Sequence, residues 1–431
     1  MQVDIGRINR FYFYAYTGEK CGCMTYRFTL AGKADRGILA KAVGDVLGRF
    51  PFFRLTPAVS AGGDISFSEN AERAEVYPLD GKNRALGTEE SGGYMFTVRC
   101  GENVIEITAF HGLGDGRAIY SFASSVVCRY FTLKGKEFDT EGLVPDLNSP
   151  VAADETETLY EKCLQYRDGL SPDRYKKKDV FRIPADNPLT GTPESHFYRL
   201  EYPFDSFSEL VKSMNGSPVA FMSALIGKSI ASLYDTGDKI ITASVPADLR
   251  NMLGSRSQSN FTVNADLPIF GGEAELPFRE LMLKQKEFLK SQINRDNLVS
   301  AVIAYGDLIE GVMKTSLADR ENVEKLQSMT IDVAGKQKTY LLTSVGMFRL
   351  PSALRTAVTG IHIIPPLIED PPMACLTAYG NTGCVNWVQN NDDPVLIARI
   401  AEKLKEQGIE GKLIDDGRKS ADKVEPFMYV R

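Results

Sequence analysis

The strongest constraint on the fold is a glycine-rich corner that joins a strand pattern to a helix pattern. Residues 104–110 have the composition of a β-strand, and residues 117–131 carry apolar side chains at four-residue intervals. Such a ladder is typical of a helix buried against a sheet. Between them lies His111-Gly-Leu-Gly-Asp115-Gly116, whose glycines allow a tight connection and a close approach to a ligand. The corner therefore predicts a mixed α/β unit with an accessible loop at the sheet edge.

The remaining sequence predicts two such units joined by a polar connection. A chain of 431 residues is long for one core and comfortable for two. Residues 151–195 are rich in charged residues and proline, which indicates a linker with at most one helix near 157–168. We therefore expect a first half at 1–150, a linker at 151–195 and a second half at 196–431.

Hydrophobic periodicity and turn residues place the elements within each half. In the first half we expect strands at 22–31, 94–98 and 104–110, a helix at 38–47 and an extended segment at 50–55. In the second half we expect helices at 206–214, 219–233, 277–316 and 393–408, and strands at 239–244, 339–346, 360–364, 373–379 and 383–388.

Composition and charge narrow the class of protein. The hydrophobic fraction is 43% and the charged fraction 25%, as in folded globular proteins. A net charge of -6 gives no electrostatic reason to expect nucleic acid or an anionic membrane as a partner. No stretch of about 18 uninterrupted apolar residues is present, so we expect no membrane span. The N-terminal residues lack the pattern of a secretory signal, and we expect a cytoplasmic protein.

The seven cysteines do not suggest a disulfide framework, because their number is odd and their spacing irregular. Cys21 and Cys23 are separated by one residue, but none of the three histidines lies near them in the sequence. We therefore interpret both as reduced thiols and expect no metal site.

His111 is the candidate catalytic residue of the corner. An imidazole close to its ordinary pKa can take a proton from a hydroxyl or amine at neutral pH. Asp115 could hold the loop, orient the imidazole ring, or cap the following helix. A turn histidine without a chemical role remains an alternative from spacing alone. His196 follows the linker, and His362 lies in an apolar strand where a core position is expected.

The pattern His-x-x-x-Asp-Gly between a strand and a helix resembles the motif of the CoA-dependent acyltransferase superfamily. That superfamily includes chloramphenicol acetyltransferase, peptide-synthetase condensation domains, the plant BAHD enzymes and alcohol acetyltransferases. The resemblance implies an α/β (α+β) protein of two chloramphenicol-acetyltransferase-like mixed-sheet domains, with the active-site channel between them. It implies catalytic positions at His111, Asp115 and Gly116.

Two further segments are similar to this superfamily. Arg250 follows Val-Pro-Ala-Asp-Leu and precedes Asn260. The resemblance implies a structural salt bridge from Arg250 to Asp115, and a channel or oxyanion position for the downstream Asn260. The segment Thr-Ser344-Val345-Gly resembles a Ser-Asn-x-Gly strand end beside the channel. It implies a channel or oxyanion role for Ser344, although Val345 replaces the asparagine of the pattern.

Departures from the pattern indicate which branch of the superfamily this sequence resembles. Phe110 occupies the position where condensation domains carry a second histidine, and the plant Asp-Phe-Gly-Trp-Gly motif is absent from the sequence, whose one tryptophan is Trp387. A freestanding, acetyltransferase-like member fits better.

The resemblance implies that His111 deprotonates the hydroxyl or amine of a small-molecule acceptor, which attacks an acyl thioester. The thioester is acyl-CoA or a carrier-bound acyl group, so we expect CoA as a co-substrate, a carrier protein as an alternative partner, and no tightly bound cofactor. We expect a monomer. The alternatives are a non-catalytic, condensation-like docking module and a thioester hydrolase. For the aromatic residues 11–16 we favour a packing role over a pocket.

Overall fold

The computed structural model describes residues 4–15, 22–175, 179–184, 195–317, 319–366 and 371–419, together with residues 422 and 424. Its helices, in chain order, are α1 (Gly6–Ala15), α2 (Arg36–Leu47), α3 (Gly116–Leu133), α4 (Leu159–Leu164), α5 (Phe204–Ser213), α6 (Pro218–Leu233), α7 (Arg250–Leu253), α8 (Phe278–Gln292), α9 (Arg295–Val312), α10 (Arg320–Lys336) and α11 (Val395–Glu406).

The strands form two mixed sheets and a separate hairpin. In chain order they are β1 (Cys23–Leu30), β2 (Leu55–Val59), β3 (Ile65–Glu69), β4 (Val76–Pro78), β5 (Phe96–Cys100), β6 (Val104–Phe110), β7 (Ser195–Pro203), β8 (Ile241–Asp248), β9 (Thr262–Ile269), β10 (Tyr340–Met347), β11 (Val358–Ile364), β12 (Met373–Tyr379), β13 (Thr382–Gln389) and β14 (Lys412–Lys419).

The first sheet has the order β11-β1-β6-β5-β4 and carries the glycine-rich corner at the end of β6. Helix α3 packs against α2 and β1 because its apolar ladder faces the sheet. Aromatic rings fill the space between the helix and the sheet, and Phe122 stacks on Phe53 with ring centroids 4.3 Å apart. This packing fixes the helix immediately after the corner.

The second sheet has the order β14-β7-β13-β12-β10-β8-β9, with β10 parallel to both of its neighbours. Helix α6 lies in the core of this half, between α8 and α11. Its Ser217 cap and the proline at its first turn start the helix, and most of its side chains are buried. Trp387 of β13 is fully buried in the same core.

One strand of the second half completes the first sheet. Strand β11 pairs antiparallel with β1, from Thr25 opposite Ile364 to Leu30 opposite Val358. The chain reaches it directly after β10 and then returns to the second sheet as β12. The two halves are therefore joined by backbone hydrogen bonds as well as by side-chain packing. The ranges of the halves and the linker stay a prediction.

The fold class expected from the sequence is confirmed, and most of the expected elements lie within a few residues of their predicted positions. The helix expected near 157–168 is the shorter α4. The prediction of an extended segment at 50–55 is wrong in part, because Pro51–Arg54 forms a 3₁₀ turn. Proline is well suited to the first turn of a helix, and this turn buries the rings of Phe52 and Phe53, which follow the proline.

Sequence patterns did not predict three helices, α1, α7 and α10, or six strands, β2, β3, β4, β7, β9 and β14. They also did not reveal that β11 belongs to the first sheet. Within the part of the chain that the structure describes, no helix combines the length and the apolar character needed to cross a membrane.

Candidate active site

The corner after β6 turns sharply and is held by backbone hydrogen bonds. The His111 amide donates to the carbonyl of Gly22, at 2.7 Å, beside the start of β1. The Leu113 amide donates to the carbonyl of Phe110, at 3.0 Å. Asp115 then caps α3, because its Oδ1 accepts from the Ala118 amide at 3.0 Å. His111 therefore lies between a strand end and a capped helix start.

Two glycines of the corner are needed for space. A Cβ on Gly112 would lie 2.5 Å from the Phe110 ring, and one on Gly114 would lie 2.8 Å from the Ala118 Cβ and 3.2 Å from the Gln258 carbonyl oxygen. Gly116 is less crowded, since its nearest contacts would lie at 3.4 and 3.5 Å. The corner is therefore in close contact with the backbone at Gln258 in the second half of the chain.

A buried ion pair links the corner to the second half. Arg250 Nη1 lies 2.9 Å from Asp115 Oδ2, and both side chains are almost fully buried. The same carboxylate oxygen accepts from the Phe261 amide at 2.9 Å. Burial opposes ionisation of Asp115, but Arg250 and the backbone donors hold the pKa of this carboxyl below its ordinary value. Asp115 is therefore ionised at neutral pH and fully engaged in holding the loop.

Arg250 also fixes the segment that faces His111. Its Nε donates to the Ser257 carbonyl at 2.7 Å, and its Nη2 donates to the Ser259 carbonyl at 2.6 Å. Nη1 additionally reaches Asp248 Oδ1 at 3.1 Å. Burial lowers the pKa of Arg250, but its carboxylate partners outweigh that effect and raise it. One guanidinium thus joins the end of β8, the segment before β9 and the corner after β6.

Asn260 connects this segment to His111 itself. Its Nδ2 donates to the His111 carbonyl at 2.6 Å and to Asn9 Oδ1 at 3.2 Å. Asn9 in turn donates from Nδ2 to Ser259 Oγ at 2.7 Å. The Asn260 Oδ1 atom is buried and has no hydrogen-bond partner among the described residues. Helix α1 is therefore part of the support of the site.

The imidazole of His111 is held from one side by an aromatic ring. Tyr12 of α1 stacks on it with centroids 4.8 Å apart and an interplanar angle of 16°. The His111 Nδ1 atom is buried and finds no hydrogen-bond partner in the described part of the chain. Burial lowers the pKa of His111 below its ordinary value, so the ring is neutral at neutral pH. A neutral imidazole can accept a proton.

Ser344 lies near the end of β10 and precedes Val345, the residue that approaches the corner. Its side chain is exposed near the end of β10, where the register shifts between Ser344 and Gly346. Gly346 has a φ of +82°, a conformation that glycine adopts readily. Val345 contacts the helix start, since its Cγ2 lies 3.5 Å from the position of a Cβ on Gly116. The strand end therefore borders the corner on the side of Gly116.

The other two histidines lie outside this network. His196 Nε2 is 2.7 Å from Asp415 Oδ1 on β14, and His362 lies on β11 opposite Arg27. The contributions of Asn9 and Tyr12 were not predicted from the sequence. The aromatic run that contains Tyr12 was the available signal, but a packing role was favoured for it.

The described residues contain no group of three or more His, Cys, Asp or Glu side chains that could hold a metal ion. Cys21 lies outside the described residues, and the side chain of Cys23 at the start of β1 is buried.

Comparison with solved structures identifies the fold. The chain is similar to trichothecene 15-O-acetyltransferase TRI3 from Fusarium sporotrichioides, with a TM-score of 0.61 and 11% identity over 94% of this chain and 93% of that one. It is similar to the epimerization domain of tyrocidine synthetase B, with a TM-score of 0.60 and 12% identity over 94% and 96%. It is also similar to TRI101 of F. sporotrichioides, solved with coenzyme A and T-2, with a TM-score of 0.59 and 10% identity over 96% and 99%.

These proteins have the two-domain fold of the CoA-dependent acyltransferase superfamily, and the present chain has the same fold over nearly its full length. No protein-family model matches the sequence, and no curated protein matches it.

Proposed function

We propose that this chain, which has the fold of the CoA-dependent acyltransferases, moves an acyl group from a thioester to a hydroxyl or amine of a small molecule, with His111 as general base. The observation that carries the proposal is the environment of His111. Its imidazole is neutral and stacked on Tyr12, and its backbone carbonyl is held by Asn260 from the other half of the chain.

The environment of the ring keeps it in the unprotonated form that a general base needs. Burial disfavours the imidazolium, so the base form is present at neutral pH. Nδ1 is enclosed, which leaves Nε2 as the nitrogen for proton transfer. The tautomer then carries its proton on Nδ1. Both walls of the site come from one chain, so a monomer suffices for the reaction.

The reaction proceeds through one tetrahedral intermediate. His111 Nε2 takes the proton of the acceptor hydroxyl or amine, and the acceptor oxygen or nitrogen attacks the thioester carbonyl carbon. The C–O π bond opens to an oxyanion, to which the Ser344 hydroxyl can donate. The intermediate collapses, the C–S bond breaks, and the leaving thiolate takes the proton from the imidazolium. His111 is then neutral again, and no covalent acyl-enzyme forms.

Asp115 and Arg250 act as positioning residues in this scheme. The carboxylate of Asp115 is engaged by Arg250 and by two backbone amides, so it contributes by fixing the loop. Gly116 starts α3 directly beside the strand end that carries Ser344.

The proposed donor is acyl-CoA or a carrier-bound acyl thioester. The structure of TRI101 with coenzyme A supports the first donor, and the likeness to an epimerization domain of a peptide synthetase supports the second. The proposed acceptor is a small molecule with a hydroxyl or amine.

Thiol release from acetyl-CoA and longer acyl-CoAs, with pooled alcohols and amines as acceptors, tests the proposal. We expect acceptor-dependent release, and a loss of about 10²–10⁴-fold in His111→Ala, because general-base catalysis contributes about that factor. His196→Ala is the matched control, since this histidine lies outside the site network, and we expect its activity to equal that of the wild type.

Full acyl transfer in His111→Ala would contradict the assignment of the base. Release that is independent of any acceptor would instead establish a thioester hydrolase. If no CoA thioester reacts, the same assay with carrier-protein thioesters separates a carrier-dependent enzyme from a docking module.

A further inference from the structure

The side-chain amide of Asn260 is held in one orientation. Its Nδ2 carries two protons, and both have acceptors, the His111 carbonyl at 2.6 Å and Asn9 Oδ1 at 3.2 Å. Turning the amide over would place Oδ1 against these two oxygens, so the contacts fix which end of the amide is the oxygen. The residue is only 2% exposed. With both of its protons engaged, Asn260 has no donor left for an oxyanion in the channel.

The oxygen of this amide and the enclosed nitrogen of His111 are complementary. Asn260 Oδ1 and His111 Nδ1 are both buried, and neither has a hydrogen-bond partner in the described part of the chain. If Nε2 is the base, Nδ1 carries the proton and needs a hydrogen-bond acceptor. Asn260 already contacts His111 through Nδ2, and Oδ1 is bonded to the same carbon as Nδ2. A buried donor and a buried acceptor are each costly to leave unpaired, which favours a bond between them.

The pKa of His111 indicates the same neighbour. Burial lowers this pKa, whereas the backbone carbonyl of the residue itself, Asp115 and the side chain of Asn260 raise it. A group raises the pKa of an imidazole either by its negative charge or by accepting a hydrogen bond from the ring. Because Asn260 is uncharged, it acts here through its oxygen as an acceptor.

The aspartate of the corner does not supply this acceptor. Asp115 Oδ1 accepts from the Ala118 amide at 3.0 Å, and Oδ2 is bound by the Phe261 amide and by Arg250, both at 2.9 Å. Asp115 affects the imidazole through its charge and makes no hydrogen bond to it within the described residues. The carboxylate therefore fixes the loop, and the orientation of the ring depends on another residue.

We propose that Asn260 sets the tautomer of the imidazole, with Oδ1 accepting the Nδ1 proton of His111 and leaving the Nε2 lone pair for the substrate hydroxyl or amine. Asn260 is a positioning residue, because it acts through His111 and does not touch the reacting atoms. The same bond stabilises the imidazolium that forms when Nε2 takes the proton. The segment before β9 in the second half thus orients the base that follows β6 in the first half. This inference rests on the proposed role of His111 as general base.

¹⁵N NMR of the histidine side chains tests the proposal without any turnover. The chain has three histidines, so single substitutions assign each imidazole. At neutral pH we expect wild-type His111 to carry its proton on Nδ1 and none on Nε2. Asn260→Leu removes the hydrogen-bond acceptor at similar size and should shift the signals toward the form protonated at Nε2. Asn260→Asp keeps an acceptor oxygen and should retain the proton on Nδ1.

Gln258→Met is the matched control. Gln258 lies in the same segment, and its Oε1 is also buried and unpaired among the residues that the structure describes. We expect the His111 tautomer to be unchanged in this variant. In steady-state kinetics, Asn260→Leu should lower kcat about 10-fold or more with little change in KM, because a buried donor is left unpaired.

A wild-type His111 protonated at Nε2 would overturn the proposal even if none of the variants folds. An unchanged tautomer in folded Asn260→Leu would also overturn it, since the carbonyl of His111 itself would then be the sufficient acceptor. Loss of the Nδ1 proton in Asn260→Asp, or an equal shift in Gln258→Met, would contradict it as well. The tautomer is measured without acyl transfer, so a failure of this inference is distinguishable from a failure of the proposed function, which retained activity in His111→Ala would show.

Discussion

Replacing Arg250 by methionine should destabilise the protein strongly, because it leaves a buried carboxylate without its cation. Asp115 is almost fully buried beside Arg250, and removing one partner of such a pair typically costs about 3–5 kcal/mol. Arg250 also satisfies the carbonyls of Ser257 and Ser259. We therefore expect Arg250→Met to lower the free energy of unfolding by at least about 3 kcal/mol.

Urea unfolding followed by tryptophan fluorescence measures this loss. Trp387 is the one tryptophan of the chain and is fully buried. Arg117→Met is the matched control, since Arg117 pairs at 2.9 Å with Asp248, which Arg250 also contacts, but its side chain is 61% exposed. An exposed pair typically contributes about 0–1 kcal/mol, so the control should change little.

The complementary change, Asp115→Asn, should cost less than Arg250→Met. Asparagine caps a helix about as well as aspartate, and Arg250 keeps its contact with Asp248. The double substitution should cost less than the sum of the two by roughly 0.5–3 kcal/mol, because no uncompensated carboxylate remains. A loss in Arg250→Met no larger than in Arg117→Met, or strict additivity of the two changes, would refute this reasoning.

Three further outcomes are expected. Gly114→Ala should abolish most activity because its Cβ would press on Ala118, whereas Gly116→Ala, with contacts at 3.4 Å or more, should retain folding. The activity and melting temperature of the two variants would test this difference, and equal tolerance of both substitutions would contradict it. Tyr12→Leu should reduce kcat with little change in KM because the stacked ring is lost, whereas Tyr12→Phe should keep kcat because the ring remains; steady-state kinetics would test this. The acid limb of the kcat/KM profile should lie below pH 6.5, because burial lowers the pKa of His111 and the neutral form persists into more acidic solution; a limb above that value would oppose the assignment.

Local patterns were sufficient to predict the corner itself. Strand alternation, three glycines and a four-residue apolar ladder are each short-range signals, and they placed β6 and α3 within two residues of their ends. The position of Asp115 directly before the helix pattern also made it a candidate helix cap, and in the structure it caps α3. The resemblance to the acyltransferases implied a contact between Arg250 and Asp115, and the structure places these two side chains 2.9 Å apart.

Contacts between distant segments could not be predicted in this way. Tyr12 reaches His111 only because α1 crosses the corner, and a run of aromatic residues does not specify which ring it will contact. Likewise, the apolar alternation of β11 indicates a strand but not the sheet that it joins. Pairing partners are decided by the tertiary arrangement, which a single sequence pattern does not encode.

Strand β11 belongs to the second half of the sequence but pairs in the first sheet, and this has a consequence for synthesis of the chain. Leu30 of β1 pairs with Val358, 328 residues later in the sequence. At a translation rate of about 5–20 residues per second, the edge of β1 waits roughly 15–65 s for its partner strand. An unpaired edge is a template for association with other chains. The edge of β1 is therefore open to wrong pairing for most of the time that the chain is being synthesised. A fragment that ends at the linker should aggregate rather than fold alone.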